Sequence, residues 1–246
     1  MKVCRLCLQE KELCNNSHIV PDFMYQELFD DKHRLFRGNP LIRKNPKIIQ
    51  SGEKEGGLLC AGCDNGIIGG YEGYASKVLY GGETGVTSRN IKKADDGLEL
   101  TLVEGLDYRM FKLFLLSLLW RASVSTAPFF SSVNLGPHEE KLRLSLLSGD
   151  PGASASYPCI MNSYQRTGLP TGVISAPRKS RFVDGKIIYS FIISGMIYVF
   201  RITEDETTDW ILEVTIKENG AMQIPHLTRE SANGLFNSLL GQEVFK

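Results

Sequence analysis

Ser17-His18-Ile19-Val20-Pro21 lies between two short cysteine pairs, Cys4-Arg5-Leu6-Cys7 and Cys60-Ala61-Gly62-Cys63, and this bracket decides the fold. Two residues between paired cysteines allow a tight turn that presents both sulfurs to one face, each about 2.3 Å from a shared zinc ion. Two such pairs complete a four-sulfur site with no position left open for water, which makes it structural rather than hydrolytic. Cys4, Cys7, Cys60 and Cys63 are therefore the expected Zn²⁺ ligands. Cys14 is a substitute ligand, though its distance from Cys7 is not that of a knuckle, and Cys159 reads as core. Cysteines in short pairs suit a metal site in a reducing compartment better than a disulfide framework.

The long interval from Leu8 to Leu59 must hold structure of its own. Asp22 to Leu28 reads as a short helix after Pro21, and Arg37 to Gly57, with Pro40, Pro46 and several glycines, reads as loop. A glycine-rich run from Asn65 to Gly70 then precedes a helix over Tyr71 to Leu79, with Tyr71, Tyr74, Ala75 and Val78 on one side. The chain carries 28 basic and 28 acidic residues, so no global field favours nucleic acid or membrane. Locally the balance breaks. Lys32, Arg34, Arg37, Arg43, Lys44, Lys47 and Lys54 share their stretch with one acid, Glu53, which suits either a solvated loop or a phosphate-contacting arm.

The paired cysteines, the His-Ile-Val-Pro string and Leu58-Leu59-Cys60-x-x-Cys63 together resemble the zinc-stabilised branch of the HNH endonucleases, over about residues 2–80. More narrowly, the chain is similar to a bacterial group of HNH-like proteins with a Ser-His-Ile-x-Pro string. The resemblance implies a ββα-metal, treble-clef-like fold and a general base at His18. The family usually places a metal-binding residue just before that histidine, an Asn five residues before the third cysteine, and a His or Asn directly after the fourth. Here those positions hold Ser17, Glu55 and Asp64. Phosphodiester hydrolysis needs a base within reach of water and a divalent cation on the scissile phosphate. Mg²⁺ or Mn²⁺ accepts carboxylates, so Asp64, assisted by Glu55 or Glu72, is the expected replacement site.

Beyond residue 80, Gly81 to Gly85 breaks any regular element. Leu98 to Val103 alternates as a strand. Leu106 to Ser123 reads as a helix apolar almost all round, with Trp120 as core. Gly136-Pro137 opens a second helix that Gly149 stops, and His138, Glu139, Glu140, Lys141 and Arg143 form its solvated face. From Tyr157 the period falls to two. Pro158–Tyr164, Lys186–Ile193, Met196–Ile202 and Trp210–Lys217 read as strands, with turns at Asp184-Gly185, Ser194-Gly195 and Asn219-Gly220. Arg178, Lys179 and Arg181 fall in a turn, and Thr228 caps a last helix running to about Leu240.

The expected architecture is α+β: an HNH-like zinc domain over 1–80, a connector over 81–104, and an α+β domain with an antiparallel sheet over 105–246. The expected function is a metal-dependent nuclease acting on DNA in the cytoplasm, with His18 as base. The C-terminal domain supports it or meets a protein partner. The alternative is a degenerate zinc-stabilised module that binds nucleic acid or protein. No apolar stretch reaches the roughly 20 residues that a membrane span needs, and no residue pattern marks a small-molecule site.

Overall fold

Asp107 accepts a hydrogen bond from the Met110 backbone N–H at 2.9 Å, and this cap starts the helix around which the chain is built. The computed structural model describes residues 1–29, 35–37, 47–49, 52–81, 88–93, 97–204 and 208–240. The capped helix is long and made largely of strong helix formers. From Phe111 through Ala122 every residue in it is buried. Such a helix can only lie in the middle of a core.

Around it the N-terminal part supplies short antiparallel pairs: β1 (Lys2–Val3) with β2 (Glu10–Lys11), and β3 (Ser17–His18) with β6 (Lys54–Glu55). Between them β4 (Leu35–Arg37) pairs with β5 (Lys47–Ile49), inside the stretch expected to be loop. A single 3-10 segment spans Asp22–Leu28. After the fourth cysteine the chain is already helical: a π-helical segment, Gly62–Ile68, leads without a break into α1 (Gly69–Tyr80). The glycine-rich run is thus part of a helix rather than its prelude. β7 (Ser88–Lys93) and β8 (Glu99–Glu104) form a hairpin inside the segment expected to connect two domains.

The buried helix is α2 (Tyr108–Val124), and α1 and α3 (His138–Ser148) both pack on it. Gly149, left-handed at φ 72°, ends α3. β9 (Cys159–Ser163), β10 (Arg178–Arg181), β11 (Ile187–Ile193) and β12 (Met196–Arg201) form an antiparallel sheet in the order β10-β11-β12-β9. Beyond α4 (Asp209–Glu213), β13 (Met222–Pro225) joins β8 in a second sheet, β13-β8-β7. α5 (Arg229–Leu240) closes the described chain, and its Ser231 N–H is capped by Thr228 Oγ1 at 3.1 Å. The class is α+β with antiparallel sheets.

The period-two pattern explains the layering. Phe191, Ile193, Tyr198 and Phe200 face the core that holds α2, while Ile192 and Ile197 face a second cluster with Tyr164 and Phe236 under α5. The first cluster runs from Cys4 to Met222, so one apolar core joins the cysteine region to the sheets. Two polar side chains trapped in α2 are bonded, while the indole Nε1 of Trp120 is buried without a hydrogen-bond partner. Ser117 Oγ donates to the Phe114 carbonyl, and Lys112 donates to the Tyr108 hydroxyl and the Ala153 carbonyl. Burial pushes the Lys112 ammonium down to about 8, against the opposing pull of Glu218 and Asp150.

Three expectations change. Trp210 to Lys217 is not a strand, because Thr208 starts a helical turn in which Ile211 alone is buried and Trp210 stacks on Phe182 at the surface. Arg178 to Arg181 is an edge strand rather than a turn, with Lys179 over the ring of its cross-strand partner Tyr189. The face of α3 is docked in part: His138 Nδ1 lies 2.9 Å from the Tyr157 hydroxyl and Arg143 is buried, while Glu140 and Lys141 remain exposed. Trp120 is fully buried, as expected of core. Trp120→Ala should lower unfolding free energy by about 3–5 kcal/mol in urea denaturation followed by circular dichroism. An exposed control, Trp210→Ala, should change it far less.

Candidate functional site

The Cys4 to Cys7 knuckle is a turn closed by the Leu8 N–H on the Cys4 carbonyl at 2.9 Å and the Cys4 N–H on the Gln9 carbonyl at 3.0 Å. Leu8 completes it at φ 57°, a left-handed conformation that a leucine adopts only when the turn imposes it. The second pair sits where a strand bridge becomes a helix, with the Cys63 and Asp64 N–H groups on the Cys60 carbonyl, both at 2.9 Å. The Cys60 N–H points at Cys4 Sγ, 3.3 Å away.

The four sulfurs of Cys4, Cys7, Cys60 and Cys63 all lie within 4.8 Å of one another, and Cys7 is the least buried of the four. Their chemistry fits zinc. Burial pushes the Cys4 thiol up, but the N–H groups of Cys7, Cys60 and Leu6 outweigh it and bring the group down to about 7. Cys63 goes the other way, raised by burial and by the three sulfurs crowded against it. A divalent cation among the sulfurs would relieve that crowding. The cluster can hold a metal ion such as zinc. Cys14 stands outside it and lies against Asp64; burial, then that carboxylate, raises its thiol.

The helices brace this cluster. Arg143 from α3 donates to the Leu6 carbonyl inside the first knuckle at 2.6 Å, while its other nitrogens hold Glu140 at 2.7 Å. From α2, Arg121 donates to the His18 carbonyl at 2.8 Å and to Glu72 Oε1 at 2.6 Å. Its side chain is only 2% exposed. One buried cation thereby fixes the histidine's backbone and the α1 helix together.

His18 itself is a quarter exposed, with Nε2 3.4 Å from Asp22 Oδ1 one turn later. That nitrogen is shielded and makes no hydrogen bond in this arrangement. Burial lowers the imidazole's pKa, and Lys54, its partner across the β3–β6 pair, lowers it further against Asp22 and Glu72. Burial thus favours the neutral ring, the form that a proton acceptor needs.

The residue before it points inward. Ser17 is buried and donates through Oγ to Asp64 Oδ2 at 2.9 Å, which brings together two positions that the sequence places at opposite ends of the bracket. Glu55 pairs with Ser17 in register, yet its carboxylate turns to the loop after α2. There it accepts from Ser125 Oγ at 2.5 Å and from the Thr126 and Ala127 N–H groups at 2.9 and 3.3 Å. Glu72 is taken by Arg121. Of the basic stretch, Lys54 faces His18, Arg37 and Lys47 sit in the backbone pair β4–β5, and Lys32, Arg34, Arg43 and Lys44 lie outside the described residues.

Sequence reasoning passed over Arg121 and Arg143. Only Arg143 was placed, on a solvated face. The signal available for Arg121 was its place on an otherwise buried helix, which demands a partner for any charge. No helix among the described residues is long and apolar enough to cross a membrane. No family model, curated protein or solved structure matches the chain.

Two outcomes follow from the geometry. Metal analysis of purified protein should find about one zinc per chain, and Cys60→Ser should lose it together with thermal stability. The second concerns acid. Burial raises the Glu55 carboxyl, but the donors of Ser125, Thr126 and Ala127 outweigh it and hold the group below its ordinary 4.5. Its stabilising contribution is therefore complete above the unfolded value and is lost as pH falls through the lower, folded one. Thermal melts from pH 7 down to 3 should show Glu55→Gln less stable at neutral pH, with the gap to wild type closing in acid.

Proposed function

We propose that the chain is a zinc-stabilised, HNH-like nuclease of treble-clef type that hydrolyses phosphodiester bonds in DNA. The observation that carries this reading is the 2.9 Å bond from Ser17 to Asp64, which sets a carboxylate beside the strand that bears His18. His18 takes a proton from water, and the resulting hydroxide attacks phosphorus as the bond to the leaving oxygen breaks. That oxygen is protonated from solvent. Asp22, 3.4 Å from Nε2, stabilises the imidazolium as it forms. Lys54 on the adjacent strand and the basic residues from Lys32 to Lys47 contact the flanking phosphates.

Asp64 would hold Mg²⁺ or Mn²⁺, which neutralises charge on the scissile phosphate; one carboxylate plus waters and substrate oxygens suffices for such an ion. In this reading Glu55 and Glu72 are struts rather than ligands, since both already serve donors from the α2 helix and the loop after it. That same observation favours a second reading, a binding module that kept the zinc scaffold and lost the cation.

Plasmid incubated with Mg²⁺ or Mn²⁺ separates the two. Wild type should nick it, and His18→Ala, shown to retain zinc, should be slower by about 10²-fold or more. Asp64→Asn should also be slow. No nicking by wild type, or equal nicking by His18→Ala, sinks the nuclease reading. Retained DNA binding whose salt slope falls when Lys32, Arg34, Arg43 and Lys44 are neutralised would then support the binding module.

A further inference from the structure

A cavity of about 320 Å³ opens between the C-terminal end of α1 and the two antiparallel sheets. Its size is at the lower end of the roughly 300–1,000 Å³ typical of small-ligand sites. Val78, Val103 and Phe111 form one wall, and Met161, Met196 and Met222 much of another. These three are half of the chain's six methionines. Unbranched, polarizable thioethers shape themselves to aliphatic and aromatic bodies alike.

The polar lining is one-signed. Arg89 and Arg166 stand at the rim, His226 and Thr101 lie further along, and no aspartate or glutamate lines the cavity among the described residues. Arg166 is held by Glu99 at 2.8 Å. Arg89, on β7, is exposed and donates only to the Val78 carbonyl; it meets no carboxylate among the described residues. Inside, His226 Nε2 and Thr101 Oγ1 are 2.7 Å apart, and His226 Nδ1 is buried without a hydrogen-bond partner. Buried polar atoms left this way are rare, and a ligand's polar group would complete them.

These features select one kind of occupant. A cation would meet Arg89 with no carboxylate in the lining, and the one beside Arg166 is already paired. A neutral apolar molecule would leave Arg89 with nothing to bind. A nucleotide's phosphates would find no glycine-rich loop. We propose that this cavity binds a medium-sized apolar monocarboxylate, its body against Met161, Met196 and Met222 and its carboxylate on Arg89. The site is separate from the cysteine cluster, although its wall residue Ser194 donates to the Met24 carbonyl at 2.7 Å, in the turn that follows His18.

Sodium decanoate titrated into the full chain labelled with [methyl-¹³C]methionine tests this directly. Saturable shifts of the Met161, Met196 and Met222 methyl signals are expected, with those of Met1 and Met110 unmoved. Arg89→Gln, at an exposed position that leaves the fold intact, should weaken decanoate binding by about tenfold or more. Decylamine, of equal length and opposite charge, should bind far more weakly. Still methyl signals, equal affinity for decylamine, or an Arg89→Gln protein that binds decanoate as wild type does would each overturn the proposal. None of these readouts depends on nuclease activity.

Discussion

The guanidinium of Arg121 is buried in the middle of the molecule, and its partners come from separate parts of the chain: the His18 carbonyl, Glu72 of α1, and Ser117 of its own helix. A charge in that position is tolerable only because each of its three nitrogens has an acceptor, and one of the acceptors is a carboxylate. Removing the carboxylate would leave an unpaired buried cation, at a cost of about 3–5 kcal/mol. The bond that positions the histidine is therefore also one that the core cannot lose. Site geometry and fold stability rest on the same side chain.

The cysteine cluster works on a different principle. Its four sulfurs bring together two segments far apart in sequence, and the strands beside the first, β1 and β2, are exposed pairs of residues. What keeps the knuckle aligned with the core is Arg143, whose hydrogen bond to Leu6 crosses from α3. A metal ion in this cluster would hold the N-terminal region from one side, and the buried arginine holds it from the other. Glu55 adds a third tie, from β6 to the loop after α2.

Much of this was legible in residues alone. Paired cysteines, an apolar helix, period-two strands and turn glycines each encode local geometry, and the buried helix and the strands Cys159–Ser163, Ile187–Ile193 and Met196–Arg201 formed within two residues of expectation. The failures share a cause. Trp210 to Lys217 alternates weakly, and a local helical turn satisfied its backbone sooner than any neighbouring strand could. Arg121, Arg143 and Glu55 were misplaced because their partners lie 65 residues or more away in sequence for the decisive contacts. Spacing reports what a residue can do within its own element. It does not report which distant carbonyl will need a donor.

The chain order of these ties carries a consequence for biosynthesis. Both cysteine pairs and the histidine emerge from the ribosome before α2 does, so the clasp can close while Arg121 has yet to be made. A nascent chain at that stage carries both cysteine pairs while His18 still lacks its buried donor. Only when the buried helix docks does the histidine acquire its fixed backbone, together with the Glu72 pair and the loop that receives Glu55. The cysteine pairs come first and the anchored histidine last, so the geometry around His18 waits on the core helix behind it.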